Sequence, residues 1–102
     1  KQRFVALSFN YPSPDKEEEI VRKESGMDAD LAKSLVKLAN MTRSLKDSGL
    51  IEGASTRLLI QAGKLIAAGI SPRIACQAAI TQALTDDQEL LGSLDEIVSS
   101  LF

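Results

Sequence analysis

The sequence predicts an all-α fold, a small five-helix bundle preceded by one orphan β-strand. Three features predict it. Apolar residues return every three or four positions through most of the chain, the spacing of amphipathic helices. Ser-Pro, Asp and Ser cap signals alternate with glycines at intervals that start and stop short helices. One segment, Phe4 to Phe9, has the β-branched, aromatic and aliphatic make-up of a strand, and nothing after it reads as its partner.

Taken in order, FVALSF is flanked by charged and turn-forming residues. The backbone groups of a strand must pair somewhere, so the segment is expected either to fray or to belong to a sheet formed upstream of Lys1. Asn10 to Pro14 reads as a turn. Ser13 is placed to cap the first helix, with Pro14 at the first helical position, where its missing N–H costs nothing. Asp15, Glu17, Glu18 and Glu19 then fall in the first turns, where the helix dipole favours negative charge, so this acidic run reads as a solvated helix start. Gly26 supplies the stop.

Asp28 begins a second helix whose apolar face is Leu31, Leu35, Leu38, Thr42 and Leu45, with Lys33, Lys37 and Asn40 on other sides and Gly49 as its end. Leu50 to Ala54 connects it to Ser55, the predicted cap of a third helix. That helix is expected to bury Leu58, Leu59, Ala62, Leu65 and Ile66, to expose Arg57, Gln61 and Lys64, and to stop at Gly69. Ser71-Pro72 repeats the cap signature. The fourth helix, to about Leu84, is nearly all small and apolar and is predicted to be the central one. Thr85 is expected to cap the fifth, with Asp86 and Asp87 at its start and Leu90, Leu91, Leu94, Ile97, Val98 and Leu101 on one side.

A length of 102 residues fits one domain, and 44% apolar with 25% charged residues is ordinary for a globular chain with a small core. The net charge is -2 and the 12 basic residues are spread along the sequence, whereas nucleic-acid binders gather theirs on one face. No nucleic-acid partner is predicted. A helix-turn-helix reading of the second and third helices fails on the long connection between them. No run approaches the roughly 20 apolar residues of a membrane span, and no secretory signal peptide is read, so a cytoplasmic protein is expected. The single cysteine, Cys76, sits among Ile74, Ala75, Ala78 and Ile80 and reads as a small buried hydrophobe, which suits a reducing compartment. Without histidine there is no His-based triad or base, and no metal site is predicted. The chain begins with Lys rather than Met, so a fragment or a processed product is expected.

Three short motifs lead nowhere. Gly63-Lys64 suggests a phosphate loop, but the motif needs an earlier Gly, a following Ser or Thr and a preceding strand, and here Leu58 and Leu65 occupy those places inside a helix. Ser93 in LGSLDEIV resembles a phosphopantetheine-bearing serine but falls mid-helix near the chain end. Asn40-Met41-Thr42 has the pattern of a glycosylation acceptor on a predicted helix.

Three longer segments together carry a resemblance. QRFVALSFNYPSPDKEEEIV looks like the end of an AAA+ ATPase core, where an Arg-Phe pair leads into the last core strand, a Tyr-Pro turn and the first lid helix. EGASTRLLIQAGKLIAAGISPRIACQAAI is similar to the sensor-2 helix of MoxR-class ATPases and the helix after it. ESGMDADLAKSLVKL and the later LTDD complete the match, which covers nearly the whole chain and resembles the CbbQ/NirQ/NorQ branch.

The resemblance implies that residues 1–13 are the last strand and linker of an ATPase core and residues 14–102 the helical C-terminal lid. It implies a ring, commonly a hexamer, with ATP and magnesium bound by the full-length parent and neither held by this piece alone. Its partners would be its own ATPase core, neighbouring subunits, a CbbO- or NorD-like protein with a von Willebrand factor A domain, and a client enzyme. For this branch the client is RuBisCO, which is reactivated, or a denitrification enzyme such as nitric oxide reductase, which is matured. Arg57, in STR, matches the sensor-2 arginine that reaches the γ-phosphate from the lid; by spacing alone it is a solvated charge beside Gln61 and Lys64. Arg3, in QRF, falls at the arginine-finger position, which acts on a neighbour's ATP; by itself it is a terminal residue with no fixed place. Arg73, in SPR, has two readings, a phosphate or neighbour contact and a plain surface charge near a helix start. The rival function is a free-standing helical adaptor that binds a protein without nucleotide. A phosphate-loop sequence upstream of Lys1 would separate the two.

Overall fold

The computed structural model describes residues 11–45 and 53–102, and every regular element among them is helical. In chain order these are α1 (Pro14–Ser25), α2 (Ala29–Ser44), α3 (Thr56–Ala67), α4 and α5 (Gln88–Leu101). Helix α4 opens as Pro72–Cys76, passes through a π-helical turn at Gln77–Thr81 and closes with an α-turn at Gln82–Leu84. The helical bundle is as predicted. The predicted strand at Phe4 to Phe9, together with Arg3 and the Gly49 stop, lies outside the described residues, and no strand occurs among those described.

Most helix ends follow the cap chemistry. The Ser13 hydroxyl accepts from the Lys16 N–H at 3.3 Å, with Pro14 at the first position. Asp28 accepts from the N–H groups of Asp30 and Leu31, and Ser55 from that of Leu58. Helix α1 ends on Gly26 at φ 77°. Helix α3 ends in a Schellman motif, with the Gly69 N–H on the Ile66 carbonyl, the Ile70 N–H on the Leu65 carbonyl, and Gly69 at φ 104°. The start of α5 differs from expectation. Asp87 is its cap, accepting from the N–H groups of Glu89 and Leu90 at 2.9 and 3.2 Å, while the Thr85 hydroxyl accepts from the Asp87 N–H. A carboxylate two residues on makes the stronger, charge-assisted cap and takes the position from Thr85.

The core is built from Val21, Leu35, Val36, Leu38, Ala39, Leu59, Ala62, Cys76, Ile80 and Val98, all buried. Helix α3 is the one packed against α1, α2 and α4 together, and α5 closes over α2 and α4. The central place predicted for α4 therefore belongs to α3. Only one stripe of α4 is covered, Ala75, Cys76, Ala79, Ile80 and Thr81, while Ile74 is 59% exposed and Ala78, Gln82 and Ala83 face solvent. The π-turn widens that stripe, because it brings Thr81 under the bundle five residues after Cys76. A row of small residues looks the same in sequence whether it is surrounded or merely pressed on one side.

Gly63, which imitated part of a phosphate loop, lies inside α3 for a packing reason. A Cβ there would come within 2.7–2.9 Å of Ser25 and the Met27 sulfur, so a glycine lets α3 pass close to the end of α1. No helix among the described residues is long and apolar enough to cross a membrane.

Candidate functional site

The chemistry of the domain gathers at the start of α3. Glu17, in the first turns of α1, is fully buried. Its two carboxylate oxygens accept from Arg43 at the end of α2, Nη1 to Oε1 at 2.9 Å and Nη2 to Oε2 at 2.7 Å, and Oε2 also accepts from the Thr56 hydroxyl at 2.8 Å. Arg43 Nε donates to the Ala54 carbonyl at 3.0 Å, and Nη1 also donates to Asn40 Oδ1. The Tyr11 ring lies over the guanidinium, 3.6 Å from its carbon to the ring centroid. One arginine thus ties α1, α2, the segment before α1 and the segment before α3.

Two further features hold the 53–56 segment. The buried Thr42 hydroxyl donates to the Ala39 carbonyl and accepts from the Ala54 N–H at 3.0 Å. Gly53 is buried so close to Arg43 that a Cβ on it would lie 2.6 Å from the Arg43 Cα. Backbone polar groups that would otherwise be orphaned under the bundle are satisfied in this way.

Arg57 follows directly. It is exposed, as are Gln61 and Lys64, while Leu59, Ala62 and Gly63 on the other side of α3 are buried. Among the described residues it has no hydrogen-bond or ion-pair partner. As the second residue of α3 its charge opposes the positive end of the helix dipole, and no acidic residue in that turn offsets it. Arg73 is exposed at the second position of α4. Arg3 lies outside the described residues. Cys76 is fully buried and its thiol is pushed up to about 12 by that burial, so it is an inert core residue. No group of three His, Cys, Asp or Glu side chains that could hold a metal occurs among the described residues.

The CbbQ/NirQ/NorQ C-terminal family matches residues 17–101. This chain belongs to that family. It is 52% identical over 102 residues to the protein CbbQ of Hydrogenophilus thermoluteolus and 43% identical over 102 residues to the protein NorQ of Paracoccus denitrificans, in both cases covering all of this chain and 38% of the relative. It is 44% identical over 98 residues to the denitrification regulatory protein NirQ of Stutzerimonas stutzeri, covering 96% of this chain and 36% of that protein. The chain therefore spans less than two-fifths of the length of these curated relatives. The family match begins at Glu17, the buried carboxylate.

The buried network was not read from sequence, although a signal for it exists. Ile20 and Val21 are the apolar residues of α1, and Glu17 precedes them by three and four positions, on their face. Arg43 continues the inward series Val36 and Ala39 on α2 in the same way. An acid and a base that both occupy apolar phases demand each other as partners.

Proposed function

We propose that this domain is the helical lid of an ATP-driven ring protein of the MoxR class, with Arg57 as the arginine that meets nucleotide phosphate from the lid side. The observation that carries the reading is Arg57 itself, a cation in the first turn of α3, exposed, without a partner among the described residues, and opposed to the dipole of its own helix. Such a residue is poorly placed for stability and well placed for an anion. A phosphate there would meet both the guanidinium and the N-terminal end of the helix. Family membership supports the same reading. The remaining three-fifths or so of the relatives' length provides room for the nucleotide-binding core.

In this reading the lid binds nothing catalytic alone. It closes on ATP held by the core, and Arg57 contributes a charge-assisted, planar contact to phosphate oxygen. Magnesium is assigned to no residue here, since the described residues bring no acidic group of three together. Arg3, preceding the described residues, would serve a neighbouring subunit's nucleotide as an arginine finger. The ring would act, with a CbbO- or NorD-like von Willebrand factor A protein, on a client enzyme, either RuBisCO or a denitrification enzyme. The name of NirQ as a denitrification regulatory protein supports the second client.

The test is Arg57→Ala in the full-length ring, read by nucleotide affinity and ATP turnover beside melting of the helical domain. A lost charge-assisted contact is worth roughly 1.5–3 kcal/mol, so affinity or turnover is expected to fall about ten- to a hundredfold. Melting is expected to move by no more than about 0.5 kcal/mol equivalent, as at an ordinary surface site. Arg57→Lys is expected to rescue poorly, because a point charge lacks the planar fork. Normal affinity and turnover would overturn the reading.

A further inference from the structure

Thr56 stands immediately before Arg57, and its hydroxyl donates to the buried carboxylate of Glu17 at 2.8 Å. We propose that Glu17, acting through Thr56, is a positioning residue for Arg57: it sets the rotation of the first turn of α3 and so the direction in which the guanidinium leaves the domain. The inference rests on the reading of Arg57 as a phosphate-binding arginine.

The first turn of a helix is its least determined part, because its N–H groups lack partners inside the helix. At α3 this turn is over-determined from outside. Ala54 is held at both ends, its N–H by Thr42 and its carbonyl by Arg43. Ser55 caps the Leu58 N–H. Thr56 then reaches across to α1 and binds a carboxylate that is itself gripped at both oxygens by Arg43. Successive residues of an α-helix are turned by about 100°. Fixing Thr56 towards Glu17 therefore fixes the azimuth of Arg57 next to it. Arg57 has no partner of its own among the described residues, and what these supply to its aim is the backbone beneath it. The donor that completes the buried carboxylate beside Arg43 comes from the residue adjoining the exposed arginine, so the same bond that satisfies Glu17 also holds the backbone under Arg57.

The network also supplies a clean probe. Thr56→Val removes the hydroxyl and keeps the shape, while Glu17 retains both bonds from Arg43. In the full-length ring we would compare wild type, Thr56→Val, Arg57→Ala and the double variant by equilibrium titration with a fluorescent ATP analogue, with melting of each. Thr56→Val is expected to weaken binding roughly three- to tenfold, a coupling usual between neighbours sharing a network, while Thr56→Ser restores it. In the Arg57→Ala background Thr56→Val is expected to add nothing.

An undiminished effect of Thr56→Val in the Arg57→Ala background would overturn the proposal and leave the role of Arg57 standing. Wild-type binding by Thr56→Val, with weakened binding by Arg57→Ala, would overturn it too. Unchanged binding by Arg57→Ala would instead remove the reading on which the proposal rests.

Discussion

Arg43 grips both carboxylate oxygens of Glu17, at 2.9 and 2.7 Å, across 26 residues of chain. The glutamate is fully buried and the arginine side chain is 11% exposed. Glu17 is thus wholly and Arg43 largely out of water, and further bonds come from Thr56 to the carboxylate and from Arg43 to Asn40 and the Ala54 carbonyl. The pair joins the start of α1 to the end of α2 and, through Thr56, to the start of α3.

Removing one partner of such a pair leaves a buried charge uncompensated, which typically costs about 3–5 kcal/mol. Glu17→Ala is expected to destabilise the domain by that amount, a large share of the roughly 5–15 kcal/mol that holds a domain together. Arg43→Lys is expected to recover little, since one ammonium cannot serve both Glu17 oxygens and the Ala54 carbonyl at once. Urea unfolding followed by circular dichroism measures both. Wild-type midpoints would show that the pair contributes nothing net.

Two glycines should respond in opposite directions to alanine. At Gly53 a Cβ would lie 2.6 Å from the Cα and Cγ of Arg43, a backbone contact that cannot swing aside. Gly53→Ala is expected to cost about 1–3 kcal/mol, as overpacking does. At Gly92, exposed within α5, a Cβ meets nothing within 4 Å. Gly92→Ala is expected to stabilise by about 0.5–1 kcal/mol, the usual helix-interior gain over glycine. Thermal melting of the two variants side by side decides it, and the same sign for both would contradict the packing described here.

Cys76 predicts a pH dependence. Burial raises its thiol from 9.0 to about 12 in the folded protein. Between those values the unfolded chain has lost the thiol proton and the folded chain retains it, so the folded state binds more protons and stability falls as pH rises. The contribution is complete below pH 9, is lost progressively up to about pH 12, and does not change further beyond. Denaturant unfolding of wild type and Cys76→Ala across that range should differ in slope, the variant losing less. In native buffer at neutral pH the thiol should resist alkylation and react once the protein is unfolded. Rapid native labelling would contradict its burial.

Much of this fold was legible in the sequence because cap chemistry and periodicity are local. Ser13, Asp28 and Ser55 start helices, Gly26 and Gly69 stop them, and Arg57, Gln61 and Lys64 share an outer face, each readable from a few neighbouring residues. The start of α5 was misread between Thr85 and Asp87 because both can cap and local pattern does not rank them. The π-turn in α4 leaves no sequence mark of its own, and small apolar residues read alike whether a helix is covered on one side or all round, so the central place was wrongly given to α4.

By itself, then, the sequence determined the helices, most of their caps, the exposed side of α3 and the resemblance that led to the family. Tertiary structure alone decided which helix is central and which of four neighbouring acids is buried. Asp15 and Glu19 are exposed and Glu18 is half-buried, while Glu17 is sealed under Arg43 and Thr56. The physical reason is that a cap needs only the backbone beside it. A buried charge needs a partner that the chain brings back from 26 and 39 residues away, and the cost of desolvation settles that pairing only once the helices have packed.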